Sequence, residues 1–270
     1  EPMPLYIIPD RKVSLADVRE GMRNHYEGTE LSMTNDPGAG AYKVPYRWRP
    51  MTFKSEGREY FNERAIATQQ TGFVLIAQMR SWLPDAVGGI LWFGVDDANT
   101  AVLTPMYASI TEIPECYRRG NGSMTEFSWT SAFWIHNWVA NMAYNRYEPM
   151  IRDIRPVQKE LEDSYVDLVK NTDAKALELL KSSPAQATAY LTEVCGKVAN
   201  ETTARWKKLG EYLLVKYMDG NVKKEKDGKF EENGYGQIVS PNFPGYSQEY
   251  YDQVAKSEEA KHLEVPKKDK

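Results

Sequence analysis

Between Arg64 and Tyr107 three apolar runs of strand length follow one another, and no other stretch restricts the fold as strongly. They are Phe73-Val74-Leu75-Ile76-Ala77, Ile90-Leu91-Trp92-Phe93-Gly94-Val95 and Ala101-Val102-Leu103. Pro84-Asp85 and Gly88-Gly89 punctuate the first gap, and Asp96-Asp97-Ala98-Asn99 the second. These residues turn a chain for backbone reasons: proline presets φ, glycine tolerates positive φ, and Asp and Asn bond their own backbone. The pattern predicts a β-meander at the centre of a sheet. Because the runs barely alternate between apolar and polar, both faces of that sheet are expected to be covered.

The flanks are read in the same way. Ser14 followed by Asp17 has the form of a helix N-terminus, and Leu15, Val18, Met22 and Tyr26 recur at helical spacing toward a stop at Gly28. Before it, Leu5-Tyr6-Ile7-Ile8 reads as an extended segment packed on the body. Residues 31–45, rich in Gly, Pro, Asn and Asp, are a surface loop. A hairpin through Ser55-Glu56-Gly57-Arg58 is expected to feed the meander.

From Ser128 onward the texture becomes helical. One helix carries Phe133, Trp134, Trp138, Val139, Met142, Ala143 and Tyr147, with Thr130 or Ser131 as cap. A second spans 154–169, with a short continuation over 174–180. A third opens at Ser183-Pro184, shows the stripe Leu191, Val194, Val198, Trp206, Leu209, Leu213 and Tyr217, and closes near Asp219-Gly220. The expected class is α+β, in three parts: a β-rich portion over 1–127, a helical portion over 128–220 and an irregular C-terminal extension over 221–270. In that extension the aromatic residues around Tyr235, Phe243 and Tyr246 are expected to wrap against the body, and the last dozen residues to form a loose tail.

Composition excludes more than it selects. A formal net charge of -4 over 270 residues supplies no basic field for a phosphate backbone, so nucleic acid is not the expected partner. No apolar run approaches the length needed to cross a bilayer, which leaves a membrane out of the expected partners as well. The two cysteines, Cys116 and Cys195, and the three histidines, His25, His136 and His262, show no metal-ligand spacing, so neither a metal nor another cofactor is expected. A Cys/His nucleophilic pair is disfavoured too, since a buried free cysteine is commonly inert packing.

Other candidates are weaker than a motif. Asp96-Asp97 beside Asn99 has the makings of an acid pair, but adjacent strand residues point to opposite faces, and a turn bonded to its own backbone is the favoured reading. Arg47, Arg49, Arg64 and Arg80 fall beside apolar strands, where each needs a carboxylate, a carbonyl or an aromatic face; an internal salt bridge is the commoner partner and a substrate carboxylate the other.

Several long segments do carry a resemblance. RWRPMTF, NERAIATQQTGFVLIAQMRSWLP and GGILWFGVDDANTAVLTPMYASITEIPECY, followed by SWTSAFWIHNWVANMAYNRY and ARWKKLGEYLLVKYMDGN, resemble the later half of bacterial dipeptidases of the N-terminal-nucleophile cysteine type. The resemblance runs from about Val13 to about Phe230. It implies an amidohydrolase that releases amino acids from dipeptides, built as a four-layer α-β-β-α sandwich. It also implies a nucleophilic cysteine at the first position of the mature chain, with its own α-amino group as the base.

Residue 1 here is Glu, and neither Cys116 nor Cys195 can offer a free α-amino group. The resemblance therefore implies a C-terminal portion, inactive alone, with the catalytic cysteine upstream of Glu1. The expected partners are the N-terminal half of the same enzyme, the dipeptide, or a second copy covering an open sheet face. Any export signal would lie upstream, so no compartment is assigned. From their places at strand entries and ends, Arg64, with Arg47 and Arg49 as alternates, is expected to reach the substrate carboxylate, and Gln78 and Asn99 to add polar lining. The alternative is a non-catalytic module that binds a partner or a glycan through its Trp/Tyr-rich surface.

Overall fold

The computed structural model describes residues 4–62 and 64–265. Helix α1 (Leu15–Met22) starts as its sequence dictates: Ser14 Oγ accepts from the Asp17 N–H, and the Asp17 carboxylate accepts from the Ser14 N–H at 2.8 Å. It ends at Arg23 rather than at Gly28, and the face it buries is not the apolar stripe. Arg19 and Arg23 are buried while Val18 and Met22 are each 37% exposed. The reason lies far along the chain, where Glu162 offers a carboxylate to both guanidiniums. Leu5 and Ile7 are almost wholly exposed, so that segment does not pack on the body as expected.

The hairpin forms from β1 (Thr52–Ser55) and β2 (Arg58–Phe61), in register Ser55 with Arg58. Glu56 and Gly57 turn it, both at positive φ (50° and 75°), which matches the twist of the two strands. It stands as a sheet of its own. The meander is β3 (Phe73–Met79), a single helical turn α2 (Asp85–Gly88), β4 (Gly89–Val95) and β5 (Thr104–Tyr107), antiparallel in the order β3-β4-β5. Phe73 pairs with Val95 and Ile90 with Tyr107. The third apolar run, Ala101 to Leu103, is the buried lead-in to β5 rather than the strand itself.

Three helices follow: α3 (Ala132–Asn145), α4 (Tyr147–Leu180) and α5 (Pro184–Lys216). Ser183 Oγ accepts from the Gln186 N–H and Pro184 occupies the first turn, as the sequence predicts for α5. α4 is continuous where two pieces were expected. Thr172 is buried, and Asp173 takes Arg80 and the Tyr107 hydroxyl, so packing carries the helix through its polar middle. These helices cover one face of the meander, burying Val74, Ile90 and Trp92 against Ile135, Leu191 and Leu213 in one core.

The other face is open. Phe73, Leu75 and Met79 are 63%, 44% and 69% exposed, and Leu91 and Phe93 beside them are half-buried. The expectation of cover on both faces is therefore met on one side only. The architecture is α+β with antiparallel pairing throughout the described strands.

Past α5 a small hairpin, β6 (Glu225–Lys226) and β7 (Lys229–Phe230), turns at Asp227-Gly228, and α6 (Gln248–Lys256) follows. Tyr246 sets its ring edge-on to Tyr42 at 5.4 Å and Glu249 pairs with Lys43 at 3.3 Å, so this part docks. Tyr235 and Phe243 remain exposed, which corrects the expectation that the whole aromatic stretch wraps. Of the tail, Glu258–Leu263 forms a 3-10 helix and residues 266–270 lie outside the described residues. Among the described residues no helix is long and apolar enough to cross a membrane.

Candidate functional site

Residues 96–103, which link β4 to β5, are all buried, so every backbone group in this loop must find a partner inside the protein. Asp97 does part of this locally: its carboxylate accepts from the Thr100 N–H at 3.0 Å, the Thr100 hydroxyl at 2.9 Å and the Tyr144 hydroxyl at 3.0 Å. α4 does much of the rest. Arg155 and Gln158 donate to the Asn99 carbonyl, Gln158 also to that of Ala101, and Glu162 accepts the Leu103 N–H at 2.9 Å.

Asn99 belongs to this framework. Its amide donates to the Arg23 carbonyl at 2.7 Å and its oxygen accepts from the Tyr147 hydroxyl at 3.0 Å. Expected as polar lining, it is fully buried and holds the loop instead.

Asp96 points elsewhere. Its N–H donates to the Gly72 carbonyl at 2.9 Å, and its φ of 67° puts it in the left-handed region that Asp enters more readily than most residues. Oδ1 accepts from Asn137 Nδ2 at 2.9 Å, and Oδ2 has no partner among the described residues. Burial pushes this carboxyl up to about 7; Asn137 opposes the shift and the neighbouring Asp97 charge adds to it.

Behind Asp96 stands a relay of amides. Asn141 donates to both the carbonyl and the side-chain oxygen of Asn137, and Gln69 donates to Asn141 Oδ1 at 3.1 Å. Gln69 Oε1, on a residue 7% exposed, is a second buried acceptor without a partner.

These groups line one cleft of about 600 Å³, whose apolar wall is Trp48, Met124 and Phe133. Arg49 is on the same lining, with Nε on Gln70 Oε1 at 3.2 Å; its two terminal nitrogens have no hydrogen bond among the described residues. Among the described residues one carboxyl, one guanidinium and several amides thus surround a space open to a ligand. A neighbouring cavity of about 430 Å³, lined by Phe93, Tyr117 and Trp134, shares Met124 and Phe133 with it.

Of the residues expected to meet a substrate, Arg49 alone lines this cleft. Arg47 is used up in the loop beneath it, donating to the Met33 carbonyl at 2.7 Å and the Val44 carbonyl at 3.0 Å and pairing with Asp36. Arg64 is half-buried against Met51 Sδ at 3.9 Å, away from the lining. Gln78 lies on the covered face of the sheet, where it accepts the Trp92 indole N–H at 3.0 Å. Arg80 forms the internal salt bridge favoured for it, with Asp173.

Among the described residues other chemistries find no geometry. Both cysteines are free and buried; burial raises each thiol, that of Cys195 to about 11, so neither is a ready thiolate. His136 stacks on Trp206 with ring centroids 5.0 Å apart, and burial drives it down to about 3. His25 is buried against Tyr144. Among the described residues no group of His, Cys, Asp and Glu is arranged to hold a metal. Asp96 and Asp97 diverge, so among the described residues no carboxylate pair flanks the cleft. Trp129 packs edge-on against Trp138 beneath Lys207.

Gln69, Asn137 and Asn141 were missed from the sequence, and Asp96 was read only as a turn. One signal was present: asparagines at 137, 141 and 145, poor helix formers, recur every fourth residue along an otherwise apolar helix.

The model of peptidase family C69 matches residues 1–160, more than half of the chain. The chain belongs to peptidase family C69. Arg49, Gln69, Asp96, Asn137 and Asn141 all fall within the region that places it there.

This C69 member is 27% identical over 204 residues to a probable dipeptidase of Latilactobacillus sakei, covering 74% of this chain and 38% of that protein. It is 21% identical over 215 residues to probable dipeptidase B of Streptococcus pyogenes serotype M1, covering 79% of this chain and 41% of that one. Dipeptidase A of Lactobacillus helveticus matches at 22% over 164 residues, 60% of this chain and 28% of the relative. The resemblance to bacterial dipeptidases therefore stands. The chain aligns with about two fifths of the length of the first two.

Proposed function

We propose that this C69 peptidase supplies the substrate-binding wall of a dipeptidase that hydrolyses the amide bond of dipeptides. The observation that carries the reading is the cleft itself, where Asp96 and Arg49 offer one acceptor pole and one donor pole, the complement of a small zwitterion. The names of the relatives support it.

On this reading the attacking thiol is not Cys116 or Cys195, which are buried and protonated at neutral pH. It comes from another segment, in line with the resemblance to enzymes whose nucleophile is an N-terminal cysteine. The open face at Phe73, Leu75 and Met79 is the apolar surface on which such a segment would pack.

The test is to express the 270-residue chain alone and joined to the gene segment preceding it, and to measure release of alanine from alanyl-alanine. Hydrolysis by the joined protein alone is expected. Equal hydrolysis by the isolated chain would overturn the assignment of the nucleophile, and none by either protein would overturn the dipeptidase reading.

A further inference from the structure

The cavity beside the cleft is walled by aromatic rings. Phe93 meets Tyr117 edge-on with centroids 5.1 Å apart, and Phe133 meets Trp134 in the same way at 5.5 Å. The polar atoms of these rings are engaged by the protein: the Tyr117 hydroxyl lies 3.0 Å from Thr104 Oγ1, and the Trp134 indole N–H donates to the Ser123 carbonyl at 3.0 Å. What they offer the cavity is carbon surface. Buried Val95 and Cys116 add to the same lining.

The cavity is also formed in advance of any ligand. One wall is the loop over residues 118–124, which Asn121 ties down by donating to the Glu115 carbonyl at 3.1 Å and accepting from the hydroxyls of Ser128 and Thr130 at 2.6 and 2.9 Å. Gly122, at φ 81°, lets this loop close on Trp134, since a Cβ there would stand 2.9 Å from the indole ring. Its volume of about 430 Å³ falls in the roughly 300–1,000 Å³ range of small-ligand pockets.

Met124 and Phe133 line this cavity and the polar cleft alike, so the two spaces adjoin. A dipeptide has the matching division, with a polar backbone and charged ends from which its side chains project. We propose that the cavity takes one side chain of the dipeptide, so that the enzyme favours a large apolar residue at that position. The inference rests on the dipeptidase reading and adds to it a side-chain preference set by Phe93. An apolar group entering here leaves water for a carbon-lined space. A side-chain amide of similar shape would give up its hydrogen bonds to water and meet rings instead.

The experiment uses the protein that includes the preceding segment. It compares leucine with asparagine, close in shape and opposite in polarity, at each position of a dipeptide whose other residue is alanine. Values of kcat/KM are measured for the wild type, Phe93→Asn, Phe93→Leu, Met124→Glu and Met79→Asn. At one of the two positions the wild type is expected to prefer leucine by at least about tenfold. Phe93→Asn and Met124→Glu should each cut that preference to within about threefold, whereas Phe93→Leu should keep it. Met79→Asn, on the same sheet face but off the cavity lining, should leave the ratio unchanged. A ratio between two substrates on one enzyme does not depend on the fraction folded. Met124 is 81% exposed, so Met124→Glu gives the answer even where Phe93→Asn fails to fold.

No preference at either position, a preference that survives both Phe93→Asn and Met124→Glu, or one lost equally in Met79→Asn overturns the side-chain assignment and leaves the dipeptidase reading standing. An enzyme that cleaves none of these peptides, nor alanyl-alanine, overturns both.

Discussion

Replacing Asp96 with asparagine removes a carboxyl whose pKa in the folded chain is about 7, against 3.8 for an unperturbed group, and this should change how stability depends on pH. Burial is the chief cause of the elevation. Between pH 3.8 and about 7 the folded chain keeps a proton that the unfolded chain has released. The stability contributed by this group is therefore fully present below pH 3.8, falls as pH rises, and is gone above about pH 7. An elevation of that size corresponds to roughly 4 kcal/mol.

His136 acts with the opposite sign. Burial lowers it from 6.5 to about 3, so its contribution is present at neutral pH and is lost as the solution turns acid. The two slopes overlap and partly cancel in the wild type, which makes the difference between wild type and Asp96→Asn the informative quantity. Asparagine keeps the shape of the side chain and any misplaced amide adds an offset that does not vary with pH. Urea unfolding at half-unit steps from pH 4 to pH 8 should show the variant gaining on the wild type by about 3–4 kcal/mol as pH rises, with most of the change below pH 7. A difference that stays flat across the range would refute the account of Asp96 as a buried, proton-holding carboxyl.

Other perturbations test the frame behind the cleft. Glu162→Gln leaves Arg19 buried without its counter-charge and Arg23 with only the exposed Glu20 and should cost about 3–5 kcal/mol in denaturant unfolding; a loss below about 1 kcal/mol would show that water reaches them. Gly210→Ala gains about 1 kcal/mol in helix propensity, but its Cβ would meet the Trp138 ring at 2.5 Å. A net loss of about 1–3 kcal/mol with altered tryptophan emission is expected, and unchanged stability would mean that the ring steps aside freely. Cys116 and Cys195 should stay unreactive toward a thiol-exchange reagent at pH 8 until urea unfolds the chain; rapid native labelling of either would contradict their burial and raised pKa.

What the sequence disclosed was what neighbours decide between themselves. The Ser14–Asp17 cap, the positive-φ turn at Glu56-Gly57 and the Ser183-Pro184 start all close within a few residues, and all are present. The meander was legible because its runs and turns alternate, although α2 and the late start of β5 were not. Failures occurred where a partner sits far away. Nothing near α1 announces that its charged face will be buried, since the carboxylate responsible is Glu162. α4 reads as two helices until Asp173 is seen to serve Arg80 and Tyr107.

At the candidate site the same limit applied. Arg49 was named among the candidates, but a rule about strand entries could not separate it from Arg47, whose guanidinium is consumed by loop carbonyls. Asp96 was seen as half of an acid pair and set aside as a turn. It is a turn residue, and the turn is what aims its carboxyl away from Asp97 and toward the asparagines of α3.

The clamp that α4 places on the β4–β5 loop has a practical outcome for anyone trimming this protein. The stretch matched by the family model ends at residue 160, inside that helix and short of Glu162. A version shortened to the matched stretch would retain each letter of the cleft, yet forfeit α5 and the Glu162 carboxylate that two interior guanidiniums share, leaving only the exposed Glu20 beside Arg23. The family model and cooperative folding draw their borders in different places here, and the wider border is the one to clone.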